Sequence, residues 1–149
     1  MQFVLDCSVS ISWCLVDENS DYANSILAMM PYSKAFVPEI WSLEIANVLL
    51  VAERRNRMTQ KQSSEAIDLL QSLLIQVDTS THANALGATL VLGRQEVLAA
   101  YDAAYLELAL RLQLPLATLD TRLAEAATRC GVDLVEAYEK CIGVAKAFI

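Results

Sequence analysis

The chain has 149 residues and a formal net charge of −7 at pH 7, and 55% of its residues are hydrophobic. Its length predicts one domain with a sizeable core, and its acidity argues against a broad basic surface for nucleic acid. Its sequence has no apolar run of the roughly 18 residues that a membrane span needs, and no cationic signal region at its start. We therefore expect a cytoplasmic protein without membrane contact.

The four cysteines and the one histidine are too scattered for a Cys/His zinc site, because no C-x-x-C pair is present. We expect reduced thiols that pack as small apolar side chains. His82 is expected at the surface, near the start of a helix, with no catalytic role. The mean hydropathy of +0.36 indicates an apolar surface that contacts a subunit or partner.

Short apolar strands alternate with longer helices, a pattern typical of βαβ crossovers and a mostly parallel sheet. The predicted strands are 3–5, 35–37, 76–78, 116–119 and 132–135. The predicted helices are 9–16, 21–30, 39–55, 59–75, 81–92, 99–113 and 121–130, the fifth ending at Gly93. One α/β domain is expected to cover residues 1–149, with 136–149 as a C-terminal tail of uncertain role.

Four carboxylates stand at positions in the sequence where a solvated surface acid is not expected. Asp6 and Asp120 each follow a predicted strand directly, and parallel strands end at the same edge of a sheet. Glu44 and Asp102 stand among apolar neighbours on their predicted helices, where burying an unpaired charge is costly. Hard cations such as Mg²⁺ or Mn²⁺ neutralise clustered carboxylates and bridge to substrate phosphates. The pattern therefore indicates metal-assisted phosphodiester hydrolysis.

Each acid also has a simpler interpretation that the sequence leaves open. Asp6 and Asp120 are placed to cap the helix that follows each of them. Glu44 or Asp102 is equally explained by a partner arginine in the core.

Two hydroxyl residues flank the strand-end acids. Ser8 lies two residues after Asp6, and Thr118 lies two residues before Asp120, on the same face if the strand continues. Either hydroxyl is placed to orient a carboxylate or a metal-bound water. A helix cap for Ser8 and ordinary strand propensity for Thr118 are the alternatives.

The sequence around these acids resembles the PIN domain, and more narrowly the VapC toxins of bacterial toxin–antitoxin modules. The resemblance rests on four blocks in the right order and spacing, at residues 4–8, 37–49, 101–109 and 116–123. Each block alone is weakly specific, whereas the set spans nearly the whole chain. One departure is that Ala99 and Ala100 stand where many relatives have a Ser or Thr helix cap. A second is the long tail beyond residue 135.

The resemblance implies a three-layer α/β/α domain with a short, mostly parallel sheet, and a Mg²⁺- or Mn²⁺-dependent endoribonuclease. The family's acidic quartet falls on Asp6, Glu44, Asp102 and Asp120. Asp6 and Asp102 are the expected direct metal ligands, and Asp120 is expected either to bind a second metal or to act on the metal through water. Glu44 is expected to complete the pocket and position the attacking water. The family further implies a homodimer and a VapB-like antitoxin, through which alone the protein would contact DNA.

RNA contact is expected to be local because the net charge is negative. The best candidate cluster is Arg54, Arg55, Arg57 and Lys61. Cations at a helix C-terminus on a solvated face are the alternative interpretation.

Two competing functions are carried forward. An aspartate-nucleophile phosphatase needs a second Asp two residues after the nucleophile, and Ser8 stands at that position. A nuclease-dead or metal-binding interaction domain is the non-enzymatic alternative, although the presence of all four acids speaks against it.

Overall fold

Four short strands form a parallel sheet in the computed structural model, which describes residues 1–136. They are β1 Gln2–Leu5, β2 Lys34–Pro38, β3 Ile75–Asp78 and β4 Leu116–Ala117. Their order across the sheet is β3-β2-β1-β4, and every neighbouring pair is parallel. The chain moves outward from β1 to β3 and then returns to the other side of β1. The topological switch, where open α/β sheets bind ligands, therefore lies between β1 and β4.

Helices cover the sheet as the sequence predicts. They are α1 Cys7–Cys14, α2 Asp21–Met29, α3 Ile40–Arg54, α4 Gln60–Ser72, α5 Thr81–Asn84, α6 Leu90–Glu96, α7 Ala100–Leu112 and α8 Thr121–Arg129. Helices α2, α3 and α4 each contact α1, whereas α7 contacts α6, α8 and the strands β1, β2 and β4. The predicted three-layer α/β/α class with a parallel central sheet is confirmed.

Burial explains why β1 and α7 lie at the centre of this arrangement. Phe3, Val4 and Leu5 are fully buried, as expected for a parallel strand covered on both faces. In α7 every residue from 103 to 109 is buried, including Glu107. Arg111 compensates Glu107, donating from Nε to Oε1 at 2.7 Å one helical turn away. A helix between parallel strands begins at their carboxyl edge, so the first turns of α3 and α7 both lie there.

Two predicted helix ends were wrong. The fourth helix stops at Ser72 rather than Ile75, because Ile75 pairs with Ala35 and starts β3. The helix expected to end at Gly93 is interrupted by a kink at Gly87, where φ of −117° and ψ of −105° are not helical, and then continues to Glu96. Gly93 serves close packing instead, since a Cβ there would lie 3.2 Å from the carbonyl oxygen of Leu98.

The ends of three other elements also differ from the prediction. Helix α1 begins at Cys7, two residues earlier than predicted. Strand β4 ends at Ala117, so Thr118 lies outside it and the strand-face argument for Thr118 and Asp120 does not hold. The predicted strand 132–135 is reduced to one parallel bridge between Leu116 and Leu134.

The remaining structural expectations concern membrane spans, thiols and the tail. None of the helices within residues 1–136 has the length and apolarity to cross a bilayer. Cys7 is buried and Cys14 and Cys130 are half-buried, all as free thiols. His82 is exposed in α5. The tail predicted at 136–149 lies, after its first residue, outside the described part of the chain.

Candidate metal-binding active site

Asp6 lies at the centre of the candidate site, directly after β1. Its side chain is only 4% exposed. One carboxylate oxygen, Oδ2, accepts hydrogen bonds from Ser8 Oγ at 2.5 Å and from Thr118 Oγ1 at 2.8 Å. Asp6 occupies the N-cap position of α1, but its side chain makes no cap hydrogen bond of good geometry to the helix backbone. Burial raises the pKa of Asp6 despite the two hydroxyl donors.

The predicted hydroxyls join the end of β1 to the loop after β4. Ser8 Oγ also accepts a bond from the backbone N–H of Leu119 at 2.9 Å. Thr118 Oγ1 accepts one from the N–H of Asp120 at 3.0 Å. Both hydroxyls thus orient Asp6 while fixing the segment that carries Asp120, although Thr118 does so from a loop rather than a strand.

Asp120 is a helix cap as well as a candidate ligand. Its Oδ1 accepts a 2.8 Å bond from the N–H of Leu123, which caps α8. The cap interpretation is therefore right for this residue. The side chain is half-buried, and its charge is close enough to raise the pKa of Asp102.

Glu44 reaches the site from the second turn of α3. Its Oε1 accepts a 2.7 Å hydrogen bond from the hydroxyl of Tyr105, a fully buried residue of α7. The pKa of Glu44 is raised to about 7, mainly by burial and also by the charges of Asp6 and Asp102, while the Tyr105 hydrogen bond acts in the lowering direction.

Asp102 lies in the first turn of α7 and is half-buried. Burial raises its pKa, and the charges of Asp6 and Asp120 act in the same direction. Because the charges of Asp6 and Asp102 also act on Glu44, the carboxylates form one electrostatically connected group. The structure therefore brings all four predicted acids to the same edge of the sheet.

No cation compensates this group within residues 1–136. The ion pairs there join Arg57 to Asp17 and Glu18, Arg111 to Asp78 and Glu107, and Arg129 to Glu96. Within residues 1–136, therefore, no arginine forms an ion pair with Glu44 or Asp102, contrary to the alternative interpretation of these two acids. Uncompensated, partly buried carboxylates at one sheet edge are instead the donor set that a hard divalent cation prefers.

The donor chemistry fits Mg²⁺ or Mn²⁺ because every candidate ligand is a carboxylate oxygen. In the described residues, however, no three acidic, histidine or cysteine side chains are close enough to form a complete ligand cluster. Their charges still act on one another: Asp6 and Asp102 help to raise the pKa of Glu44, and Asp6 and Asp120 help to raise that of Asp102, in each case after the larger effect of burial.

The candidate RNA-binding cations lie away from this pocket. All four are exposed, at the end of α3 and the start of α4: Arg54, Arg55, Arg57 and Lys61. Glu44 and Arg54 are ten residues apart on α3, which is about 15 Å along the helix axis. Arg57 donates to both oxygens of Asp17 at 3.0 Å and to Glu18 at 2.9 Å, so its guanidinium is already engaged.

Sequence reasoning missed the hydrogen bond from Tyr105 to Glu44. The available signal was the position of Tyr105 three residues after Asp102, on the same face of a helix. A fully buried tyrosine also needs a partner for its hydroxyl.

Comparisons with known proteins agree with this geometry. The family model described as "PIN domain" matches residues 3–128. PAE2754 from Pyrobaculum aerophilum superposes with a TM-score of 0.66 at 17% identity, over 98% of this chain and 99% of its own. VapBC2 from Rickettsia felis, solved with a promoter DNA fragment, gives a TM-score of 0.63 at 13% identity, over 91% and 98% of the two chains.

No curated protein matches the sequence. At these identities the two solved structures are alike in fold, and the family model carries the assignment. The predicted resemblance to the PIN domain is confirmed, because the match covers most of the chain: this protein belongs to the PIN domain family.

Proposed function

We propose that this chain is a divalent-metal-dependent endoribonuclease that hydrolyses RNA phosphodiester bonds in the acidic pocket. PIN domains are generally nucleases that use divalent metals. The observation that carries the proposal is the grouping of Asp6, Glu44, Asp102 and Asp120 at one sheet edge, with no basic partner in residues 1–136. A group of this kind is costly to hold unless a cation binds it.

The roles of the acids follow from their contacts. Asp6 is held by two hydroxyls through Oδ2, which leaves Oδ1 for the metal. Asp102 completes the ligand pair from the first turn of α7, and Asp120 contributes its second oxygen while Oδ1 caps α8. Glu44 orients the attacking water. A bound Mg²⁺ or Mn²⁺ would lower the pKa of that water and neutralise charge on the phosphate, giving a 5′-phosphate product.

We further propose that the chain is a toxin of the VapC type, with a small VapB-like antitoxin as its partner. The support is the fold shared with VapBC2 from Rickettsia felis, a protein solved on a DNA fragment from its promoter. A net charge of −7 favours a basic partner and disfavours direct DNA binding, so DNA contact would run through the antitoxin. The exposed Leu86, Leu90 and Val91 of the α5–α6 region are consistent with a homodimer.

The test is cleavage of single-stranded RNA by the purified chain, comparing wild type with Asp6→Asn. Ser8 and Thr118 both donate to Oδ2 of Asp6, so the single carbonyl oxygen of asparagine can accept both bonds and the fold should persist. We expect Mn²⁺-dependent cleavage that EDTA abolishes, with a rate at least ~100-fold lower in Asp6→Asn. The fragments should carry 5′-phosphates.

The matched control is Asp68→Asn, which removes an exposed carboxylate from α4 and should cleave like wild type. Circular dichroism melts of all three proteins check folding. Undiminished cleavage by folded Asp6→Asn would refute the assignment of the pocket.

A further inference from the structure

Tyr105 and Glu44 form the one direct side-chain bond that joins α7 to α3 among the described residues. The phenolic oxygen donates to Oε1 of Glu44 at 2.7 Å, a short distance for a bond to a carboxylate. Tyr105 is 0% exposed, whereas Glu44 is half-buried at the pocket. The donor is therefore shielded from water, which would otherwise compete for it.

The environment also fixes the direction of this bond. Burial and the neighbouring charge of Glu44 raise the pKa of the Tyr105 hydroxyl strongly. The hydroxyl thus remains a donor at neutral pH, and Glu44 is the acceptor.

A single donor on Oε1 has a geometric consequence for Glu44. The terminal torsion of a glutamate is broad, so an unrestrained carboxylate samples many orientations. With Oε1 held, the plane of the carboxylate is set and Oε2 remains for a water in the pocket. Tyr105 is also three residues from Asp102 on α7, so one rigid helix sets the spacing of Glu44 and Asp102.

We propose that Tyr105 is a positioning residue that holds the Glu44 carboxylate in its working orientation beside Asp102. The role rests on the proposed nuclease function, because it assigns Tyr105 to the reaction through Glu44. Tyr105 itself touches neither the metal nor the RNA.

The first experiment is a double-mutant cycle on the thermal unfolding of the metal-free protein, with Tyr105→Phe, Glu44→Ala and both together. Tyr105→Phe should lower Tm by ~2–8 °C in the wild-type background, since it leaves a partly buried carboxylate without its donor. In the Glu44→Ala background the same change should not lower Tm, because the hydroxyl has already lost its acceptor.

The second experiment measures Mn²⁺ affinity by calorimetry and steady-state RNA cleavage. Tyr105→Phe should lower kcat by about tenfold, with KM and the Mn²⁺ Kd changed by less than about threefold. The control is Ser12→Ala, which removes a buried hydroxyl that donates to the backbone carbonyl of Glu18 at 2.7 Å. This hydroxyl makes no hydrogen bond to any of the four acids of the candidate site. Its kcat should match wild type.

Additive Tm shifts in the cycle would overturn the proposal whatever the activity of the wild type. Non-additive Tm shifts together with an unchanged kcat in Tyr105→Phe would overturn the positioning role. A fall of kcat in Ser12→Ala equal to that in Tyr105→Phe would overturn it as well. Coupled shifts in a wild type that neither binds Mn²⁺ nor cleaves RNA would instead refute the nuclease function, and the positioning role with it.

Discussion

Glu44 is subject to opposing influences that decide its charge near neutral pH. Burial and two neighbouring carboxylates, Asp6 and Asp102, favour its neutral form, whereas the Tyr105 hydroxyl favours the ionised form. The balance places its pKa at about 7, above the ordinary 4.5. A carboxyl with a pKa near the working pH exchanges protons readily, which suits a group beside an attacking water.

The raised pKa of Glu44 makes the metal-free protein less stable as the pH rises. Between the ordinary pKa of 4.5 and the folded value of about 7, the folded state binds more protons at Glu44 than the unfolded state does. The contribution of Glu44 to the free energy of unfolding is therefore fully present at the low end of this pH window and is lost toward its upper end. The raised pKa values of Asp6 and Asp102 act with the same sign.

We predict that the Tm of the metal-free protein falls as the pH rises from 5.5 to 7.5, and that Glu44→Gln flattens this dependence. The acids that pair with arginine, Asp78 and Glu96, have lowered pKa values and titrate below this window. Glu65→Gln, at an exposed site on α4, is the control and should keep the wild-type slope. A wild-type Tm that is flat or rises with pH would contradict the electrostatic description of the pocket.

Individual residues were predictable where the sequence places a charge against its apolar context. Asp6 and Asp120 were identified because each follows an apolar strand, and Glu44 and Asp102 because each interrupts an apolar helix face. Their partners were not predictable, since a contact such as Tyr105 to Glu44 joins positions 61 residues apart. A tyrosine in an apolar helix gives no indication of what its hydroxyl will meet.

Among the elements, the connection from α6 to α7 carries backbone strain. Val97 ends α6 in the left-handed region, with φ of 54° and ψ of 47°, and its side chain is 84% exposed. A β-branched residue is unfavourable there, at a cost of roughly 1–2 kcal/mol, whereas glycine adopts this conformation freely. Little packing is lost if the side chain is removed.

We predict that Val97→Gly raises the free energy of unfolding by about 1 kcal/mol relative to Val97→Ala. The alanine variant is the matched control, because it removes the same exposed side chain while keeping a Cβ in the left-handed region. Urea denaturation of both variants measures the difference. Equal stability of the two would show that the backbone at residue 97 relaxes in solution.

The ends of helices were predictable where a proline or glycine in the sequence coincides with the end that tertiary packing selects. Pro31 and Gly131 lie at ends that the structure retains, whereas Gly93 packs inside a helix because Leu98 approaches its backbone. Strand ends were less predictable, because pairing with β1 and β2 decides them. Thr118 leaves the sheet early since its hydroxyl binds Asp6 and the N–H of Asp120.

At the scale of the whole molecule, strand order creates the site. The sequence predicted parallel strands and a common carboxyl edge, but it could not predict the order β3-β2-β1-β4. That order places Asp6 at the switch point, beside the loop that carries Asp120, and α3 and α7 bring their acids from the flanking layers. The ion pairs in residues 1–136 involve other acids and leave the four at this edge without a cationic partner.

The central claim is that this uncompensated acidic edge binds a divalent cation through Asp6. The most direct test is calorimetric titration of the metal-free protein with Mn²⁺ at pH 7.5, for wild type, Asp6→Asn and Asp68→Asn. We predict saturable binding to wild type and Asp68→Asn, and an affinity at least ~100-fold weaker for Asp6→Asn. Wild-type protein that binds no Mn²⁺ at millimolar concentration, or Asp6→Asn that binds it equally well, would contradict the claim.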